Sequence, residues 1–336
     1  MENEEKQDKN SLRDVFDIEN KEIPNKSWWW WFWLFFMKNP ENPQRPKQLM
    51  ILWSTKNENK INCNNKTIRL NDLSDRKNMD GAVAAWYYDG KKMHHNFLLE
   101  KCKLNIENNT LKTETDPRTS FSVNNSQNIV NIGNDFRLVS RMRNNHVFED
   151  LDSYEKNIIG EKGYSMMRMN RMDLEGVIKG EEITGSSYFQ RVFVNAPAVP
   201  WYWGIFHFEN GGSLSYYNPH FLGKSIKKDI SLYDGNELHE FTTIDVKRIG
   251  NSAPNFIISG KEENKEIKFT VKPYSKSSWT FRKKMLGIVP NKLVYNEYPS
   301  KITDLHFRDK NKNIEITGND LGQNVGNSEY TTGFLY

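Results

Sequence analysis

Hydrophobic residues in this chain are grouped in short runs separated by Asn, Gly, Asp and Pro, and no long amphipathic helix is indicated. The first run, "WWWWFWLFFM", covers residues 28–37 and is followed by "KNPENPQRP" and then by "KQLMILWST". Proline-rich punctuation between two β-prone runs is typical of two strands joined by a turn. The opening of the chain after residue 27 therefore predicts a β-hairpin.

Further runs repeat this design along the first half. Asp89-Gly90 stands between two β-prone runs, and Asn108-Asn109 does the same in "CKLNIENNTLKTET". Both dipeptides favour tight hairpin turns. The best helical candidate is a short piece at residues 148–159, so the pattern predicts a mainly antiparallel β-structure.

The second half repeats the opening. Trp201-Tyr202-Trp203 begins the run 201–208, which is followed by a turn at 209–212 and a returning run at 213–217. Two tryptophan-rich hairpins about 170 residues apart suggest two similar units. We therefore predict a disordered polar arm at residues 1–26, a first antiparallel β-barrel at 27–195 and a second at 196–336, with few short helices.

Composition and charge narrow the class of protein. Hydrophobic residues make up 37% of the chain and aromatic residues 13%, which favours strands because aromatic side chains fit a pleated surface. The 47 basic and 43 acidic residues are interleaved, so no basic surface for nucleic acid is predicted. The first run of ten apolar residues is too short to span a membrane. The charged residues and three prolines of the segment that follows prevent a helix from continuing. Contact with a membrane surface stays an alternative.

The expected location is the cytoplasm. The N-terminal segment is charged and lacks the apolar core of a secretory leader, and the chain has two cysteines, Cys63 and Cys102. The adjacent pair His94 and His95 points to opposite faces of a strand and cannot chelate a metal together. Phosphate-binding loops and metal-ligand spacings are not found, so we predict no metal, nucleotide or other cofactor.

The alternation of side chains along a strand selects the candidate site residues. In the first run, Trp29 and Trp31 share one face, and both faces are apolar. One face would line a cavity of the first barrel and the other would meet a further surface, with a plain packed core as the alternative. In the second run, Trp201, Trp203 and His207 share a face. A face that combines tryptophan and histidine, near others that offer a phenol and an amide, is typical of an apolar ligand pocket with a few orienting polar groups. The predicted ligand contacts are Trp29, Trp31, Trp201, Trp203 and Tyr216, and the predicted catalytic residues are Tyr188, Gln190 and His207.

Three segments, "WWWWFWLFF", "GSSYFQRVFV" and "PWYWGIFHFENGGSLSYY", resemble the AttH-like and carotenoid 1,2-hydratase family of tandem lipocalin-like proteins. Tocopherol-cyclase-like and Diels-Alderase proteins look related to the same family. The resemblance covers residues 28–336 and implies two lipocalin-like barrels that act on, or hold, an isoprenoid or polyene. Gly185 and Tyr188 match the family's middle motif, but Gln190 stands where that motif tends to carry an acidic residue.

The resemblance implies hydration or cyclisation of an alkene, which needs a carboxylic acid of raised pKa and an aromatic wall for a carbocation. Gln190 cannot supply the proton, although as a hydrogen-bond donor it suits a pericyclic reaction. The nearest carboxylates in the sequence are Asp173, Glu175 and Glu209. Our interpretation is a hydratase-like or cyclase-like lyase or isomerase. The alternatives are a carrier of the same fold without turnover and a carbohydrate-binding β-domain with exposed tryptophans.

Overall fold

A computed structural model of the chain describes residues 15–16, 18, 23–70, 75–124, 127–142, 156–159, 162–221, 224–226, 229–285 and 289–335. The chain divides into two compact units, Met1–Ala196 and Pro197–Tyr336, and each unit is described by itself. Almost all the described residues lie in antiparallel strands or in the turns between them. The predicted all-β class is confirmed.

The strands of the first unit follow one another closely in the chain. They are β1 (Trp28–Met37), β2 (Lys47–Lys56), β3 (Lys60–Cys63), β4 (Lys66–Arg69), β5 (Asn78–Tyr88), β6 (Met93–Glu107), β7 (Thr110–Thr113), β8 (Thr119–Val123), β9 (Asn128–Ile132), β10 (Phe136–Arg141), β11 (Lys156–Ile159), β12 (Lys162–Ile178) and β13 (Glu181–Val194). Ten of these described strands close into a barrel in the order β1-β2-β5-β6-β7-β8-β9-β10-β12-β13, and β13 returns to β1. Closure removes the free edges that an open sheet would expose.

Strand β1 is apolar on both faces. The side chains at alternate positions from Trp29 to Met37 belong to the core of the barrel, and Trp33 packs on Phe189 of β13 with ring centroids 4.7 Å apart. On the opposite face, Leu34 and Phe36 are also buried. Burial of each such side chain contributes about 1.5–3 kcal/mol. A strand buried on both faces reads as a continuous hydrophobic run, which is the pattern in this sequence.

Part of the N-terminal segment also packs inside this barrel. Val15, Phe16, Ile18 and Ile23 are buried members of its core. The Trp31 indole donates a hydrogen bond to the Val15 carbonyl oxygen at 2.6 Å. These four residues fall within the arm predicted for residues 1–26, so this part of the arm contributes to the core. The other positions up to residue 22 lie outside the described residues.

The prediction of a helix at residues 148–159 is wrong for the part of this segment that the structure describes. Residues 148–155 lie outside the described residues, and Lys156–Ile159 form strand β11. The β-branched residues of this piece favour a strand, and β12 provides an edge with which it pairs antiparallel.

The second unit repeats the meander of strands. Its elements are β14 (Trp201–Phe208), β15 (Ser213–Phe221), β16 (Lys224–Ser225), β17 (Asp229–Tyr233), β18 (Leu238–Phe241), β19 (Asp245–Ile249), β20 (Asn255–Glu262), β21 (Lys265–Pro273), β22 (Ser277–Met285), β23 (Val289–Asp309), β24 (Ile314–Thr317), the short helix α1 (Gly318–Leu321) and β25 (Asn324–Gly333). The sheet runs β18-β17-β15-β14-β25-β23-β21-β20-β19. Residues 242–244 join its two end strands, and there the Lys261 amide donates to the Thr243 hydroxyl at 2.8 Å.

Each unit contains a hairpin that is built from the same residue types. Between β5 and β6, Asp89 accepts hydrogen bonds from the backbone amides of Lys91 and Lys92, and its second carboxylate oxygen lies 2.8 Å from Nε2 of His94. The Tyr88 hydroxyl donates to the carbonyl of Gly90. Burial raises the pKa of Asp89, but the hydrogen bonds from the backbone and from His94 outweigh burial and lower it to about 2.

Asp234 makes the same contacts between β17 and β18. It accepts from the amides of the second and third residues after it, and it lies 3.1 Å from His239 Nε2. Tyr233 donates to the carbonyl of Gly235. The repeated pattern Tyr-Asp-Gly-x-x-x-His thus supports two units built on one plan.

We expect Asp234→Ala to lower the free energy of unfolding by about 2 kcal/mol, because it removes the hydrogen-bond partner of the fully buried His239 ring and of the part-buried Glu237 amide. Asp89→Ala should cost less, since the Asp89 and His94 side chains are 33% and 41% exposed, against 12% and 0% for Asp234 and His239. Urea unfolding of the two variants measures the difference. Asp245→Ala, on an exposed position of β19, is the control. Equal losses for Asp234→Ala and Asp245→Ala would contradict this account.

Candidate functional site

The two predicted ligand contacts of the first unit lie in its core. Trp29 and Trp31 are fully buried. The Arg191 guanidinium lies 5.1 Å from the centre of the Trp29 ring, and Phe193 packs against that ring at 5.3 Å. Both tryptophans therefore stabilise the first barrel, and their contact with a ligand stays a prediction.

Tyr188 and Gln190 are brought together on β13. Both side chains are buried on the face opposite the barrel core, and the Tyr188 hydroxyl donates to Oε1 of Gln190 at 2.8 Å. This bond fixes the orientation of the amide and directs its Nε2 donor away from the phenol. The pairing follows from their spacing of two residues along a strand.

The predicted residues of the second unit fall on two different faces. Trp201, Trp203 and His207 lie on the face of β14 opposite the core of the unit, whereas Tyr216 is part of that core. Burial raises the pKa of Tyr216 far above its usual value. His207 is four residues from Trp203, which corresponds to about 13 Å along a strand. His207 therefore lies on the same face as the tryptophan pair, farther along β14.

The carboxylates considered from the sequence are all exposed. Asp173 and Glu175 lie on exposed positions of β12, and Glu175 forms an ion pair with Arg141 at 2.5 Å. Glu209 is an exposed turn residue that accepts a hydrogen bond from the Gln323 amide. An acid of raised pKa needs burial, so the expectation that one of these three supplies the proton is not supported by their positions.

A different carboxylate lies beside the tryptophans. Glu329 is on β25, directly across from Trp203 of β14. Its side chain is only 4% exposed. Directly paired residues in antiparallel strands have Cβ atoms about 4.5–5.5 Å apart, so the carboxyl group and the Trp203 ring are neighbours on one face of the sheet.

Two aromatic donors hold this carboxyl group. The Trp201 indole N–H donates to Oε2 of Glu329 at 2.8 Å, and the Tyr295 hydroxyl donates to Oε1. Trp201 is itself fixed, because its backbone amide donates to the Thr331 hydroxyl at 2.7 Å. The carboxyl group is thus oriented by groups from β14 and β23.

Burial raises the pKa of Glu329 to about 7. The hydrogen bonds from Tyr295 and Trp201 favour the charged form and lower the pKa, but the loss of hydration outweighs them. A carboxyl group with this pKa carries a proton in a large fraction of molecules near neutral pH. It can therefore act as an acid.

A second carboxylate pairs with the first. Glu297 of β23 lies directly across from Glu329 and is fully buried. The indole of Trp279, on β22, donates to Oε2 of Glu297 at 3.0 Å. Two neighbouring buried carboxylates disfavour a doubly charged state, which is a further reason for a proton to remain in this pair.

These residues form two rows across four strands. We call the set the Glu329 patch, and its members, taken from β14, β25, β23 and β22, are Trp203, Glu329, Glu297 and Ser277 in one row and Trp201, Thr331, Tyr295 and Trp279 in the other. The rings of Trp201 and Tyr295 contact each other at 5.7 Å and are half-buried. These two half-buried rings belong to the residues that donate hydrogen bonds to Glu329.

The sequence carries a signal for Glu329 that the strand pattern did not reveal. Gly326-Asn327-Ser328-Glu329 in the last strand of the second unit matches Gly185-Ser186-Ser187-Tyr188 in the last strand of the first. In both strands the glycine is required, because a Cβ atom would collide with a carbonyl oxygen of the first strand of the same unit. Glu329 therefore occupies the position that Tyr188 has in the first unit.

No cluster of three or more His, Cys, Asp or Glu side chains suitable for a metal ion occurs among the residues that the structure describes. In the same part of the chain, no helix has the length and apolar character needed to span a membrane.

Comparison with solved structures supports the fold. An AttH-like protein from Nitrosomonas europaea superposes with a TM-score of 0.57 at 11% identity and covers 94% of this chain and 95% of its own. A DUF3598 family protein of unknown function from Nostoc punctiforme is 10% identical and covers 96% of this chain and 98% of its own. Its TM-score of 0.14 is too low to indicate a shared fold. No known family model and no curated protein sequence matches the chain. The fold is therefore AttH-like and lipocalin-like, and at 11% identity the likeness shows the fold alone.

We expect the stability of the protein to fall between pH 5 and pH 8 because of Glu329. Its pKa is raised from 4.5 to about 7, so the folded state holds a proton that the unfolded state releases. The stabilisation is complete below pH 4.5 and is lost as the pH rises through 7, by up to about 3 kcal/mol. Glu329→Gln should remove this loss, and urea unfolding at several pH values measures it. Glu175→Gln is the control and should keep the wild-type pH dependence. Parallel curves for wild type and Glu329→Gln would contradict the assignment.

Proposed function

We propose that the protein binds a hydrophobic isoprenoid or polyene against the Glu329 patch and catalyses an acid-dependent addition or cyclisation at one of its double bonds. The observation that carries this proposal is the buried Glu329 carboxyl group, with a pKa near 7, held by Trp201 and Tyr295 and placed beside Trp203. The ligand class is the one that the sequence resemblance implies, and the AttH-like fold agrees with that resemblance.

The reaction begins with the neutral carboxyl group. Glu329 gives its proton to one carbon of a C=C bond, which leaves a carbocation on the neighbouring carbon and a carboxylate on Glu329. For hydration, water forms a C–O bond to the cation, and its surplus proton returns to Glu329. For cyclisation, a second double bond of the ligand attacks the cation, and a proton lost from an adjacent carbon restores the acid.

The surroundings of Glu329 suit both charged species. The Trp201 N–H and the Tyr295 O–H stabilise the carboxylate that proton transfer produces. The aromatic faces of Trp201, Trp203 and Tyr295 attract a cation and limit the access of water. The acid that Gln190 cannot provide in the first unit is thus supplied by the second unit.

The proposal is tested by incubating the purified protein with lycopene, an acyclic carotenoid, and analysing the products by mass spectrometry. A gain of one water mass indicates hydration, and an isomer of unchanged mass with a new retention time indicates cyclisation. Lycopene that is bound and released unchanged would overturn catalysis on this substrate class and favour the carrier.

We expect Glu329→Gln to lower the rate at least about 100-fold while lycopene binding is retained, because glutamine keeps the shape but has no acidic proton. Glu175→Gln, an exposed carboxylate outside the patch, should leave the rate unchanged. The rate constant and the ligand affinity are measured separately for each variant. A Glu329→Gln protein with wild-type activity would exclude Glu329 as the acid.

The rate should also depend on pH in a defined direction. Since the donor must be protonated, we expect the rate to be highest below pH 7 and to fall about tenfold per unit above it. A rate that increases with pH above 7 would show that a base, not an acid, limits the reaction.

A further inference from the structure

A second cluster of polar and aromatic groups lies on the other face of the second unit's sheet. Phe256 is its centre and contacts the rings of Tyr202, Tyr330 and Tyr298 at centroid distances of 6.1, 6.2 and 5.9 Å. Tyr202 and Tyr330 stack at 4.9 Å. Tyr202 and Tyr330 are half-buried, so the cluster is accessible at one end. We call it the Phe256 cluster.

Two cations border the Phe256 cluster. Arg248 pairs directly with Phe256 in the register of β19 and β20, and its guanidinium lies 5.0 Å from the centre of the Tyr330 ring. Lys276 Nζ lies 5.8 Å from the centre of the Tyr298 ring. Neither cation has a carboxylate partner among the described residues.

The phenol groups add further donors. The hydroxyl groups of Tyr202 and Tyr330 interact, and this interaction favours the protonated form of Tyr202. Burial raises the pKa values of Tyr202 and Tyr298 to about 12, and both hydroxyls therefore keep their protons at neutral pH. Arg248 opposes this rise in both residues, which indicates that its positive charge acts on the hydroxyl groups.

The Phe256 cluster is separated from the Glu329 patch by the sheet itself. Glu329 and Tyr330 are consecutive residues of β25, and their side chains point to opposite faces. A ligand of one site therefore does not occupy the other. The two sites also differ in charge, because one contains two carboxylates and the other contains cations and hydroxyl donors.

We propose that the Phe256 cluster is a binding site for an organic carboxylate with an apolar body. The carboxylate is held by Arg248, Lys276 and the Tyr330 hydroxyl, since charged donors form the strongest hydrogen bonds to carboxylates. The apolar body covers the accessible surfaces of the Tyr202 and Tyr330 rings. This inference does not depend on the function proposed for Glu329.

The test is calorimetric titration of the full-length protein with dodecanoate below its micellar concentration, and with dodecanol as the neutral ligand of equal length. We expect saturable binding of dodecanoate and at least tenfold weaker binding of dodecanol. Arg248→Gln should weaken dodecanoate binding about tenfold or more, because a hydrogen bond to a charged group is lost. Tyr330→Phe, which keeps the ring, should weaken it by a smaller factor.

Lys247→Gln is the matched control. Lys247 precedes Arg248 on the same exposed strand and points to the opposite face, so its replacement removes the same charge and should leave the affinity unchanged. The proposal is overturned if dodecanoate does not bind saturably, if dodecanol binds equally well, or if Arg248→Gln and Lys247→Gln have the same effect. Glu329→Gln should bind dodecanoate like the wild type, so the outcomes for the two sites are distinguishable.

Discussion

The pairing of the first strand with the last strand in each unit is the constraint on which the rest of the structure depends. In the first unit β1 pairs with β13, and in the second β14 pairs with β25. Each pairing joins segments more than 100 residues apart and allows tryptophan-rich strands to be buried on both faces. The glycines Gly185 and Gly326 make the approach feasible, because any side chain there would meet the backbone of the first strand.

The same pairing creates the candidate site. It places Glu329 directly beside Trp203, and the neighbouring strand β23 adds Tyr295 and Glu297. Burial of two carboxylates is costly unless they are hydrogen-bonded or protonated. The indole and phenol donors reduce the cost but do not remove it, and burial therefore raises the pKa of Glu329 to about 7. A group that destabilises the fold at higher pH is a reasonable candidate for chemistry.

The two units share a plan but differ in what they carry. The hairpins around Asp89 and Asp234 repeat the same hydrogen bonds, and the last strands repeat a glycine followed three residues later by a polar side chain. In the first unit that side chain is Tyr188, which bonds to Gln190, and in the second it is Glu329. The second unit therefore carries the buried carboxyl group of raised pKa, whereas the core of the first unit takes up part of the N-terminal segment.

The sequence by itself determined the strands, the hairpin turns and the faces of β1, β13 and β14, because alternation and turn chemistry are local properties. It also suggested the tandem arrangement through the repeated aromatic runs. Only the tertiary structure decided which carboxylate is buried, because Glu329 and Trp201 are far apart in the sequence and meet only when β25 pairs with β14. It also showed that Tyr216 lies in the core, away from His207 and the tryptophans, since the register of the strands assigns each side chain to one face.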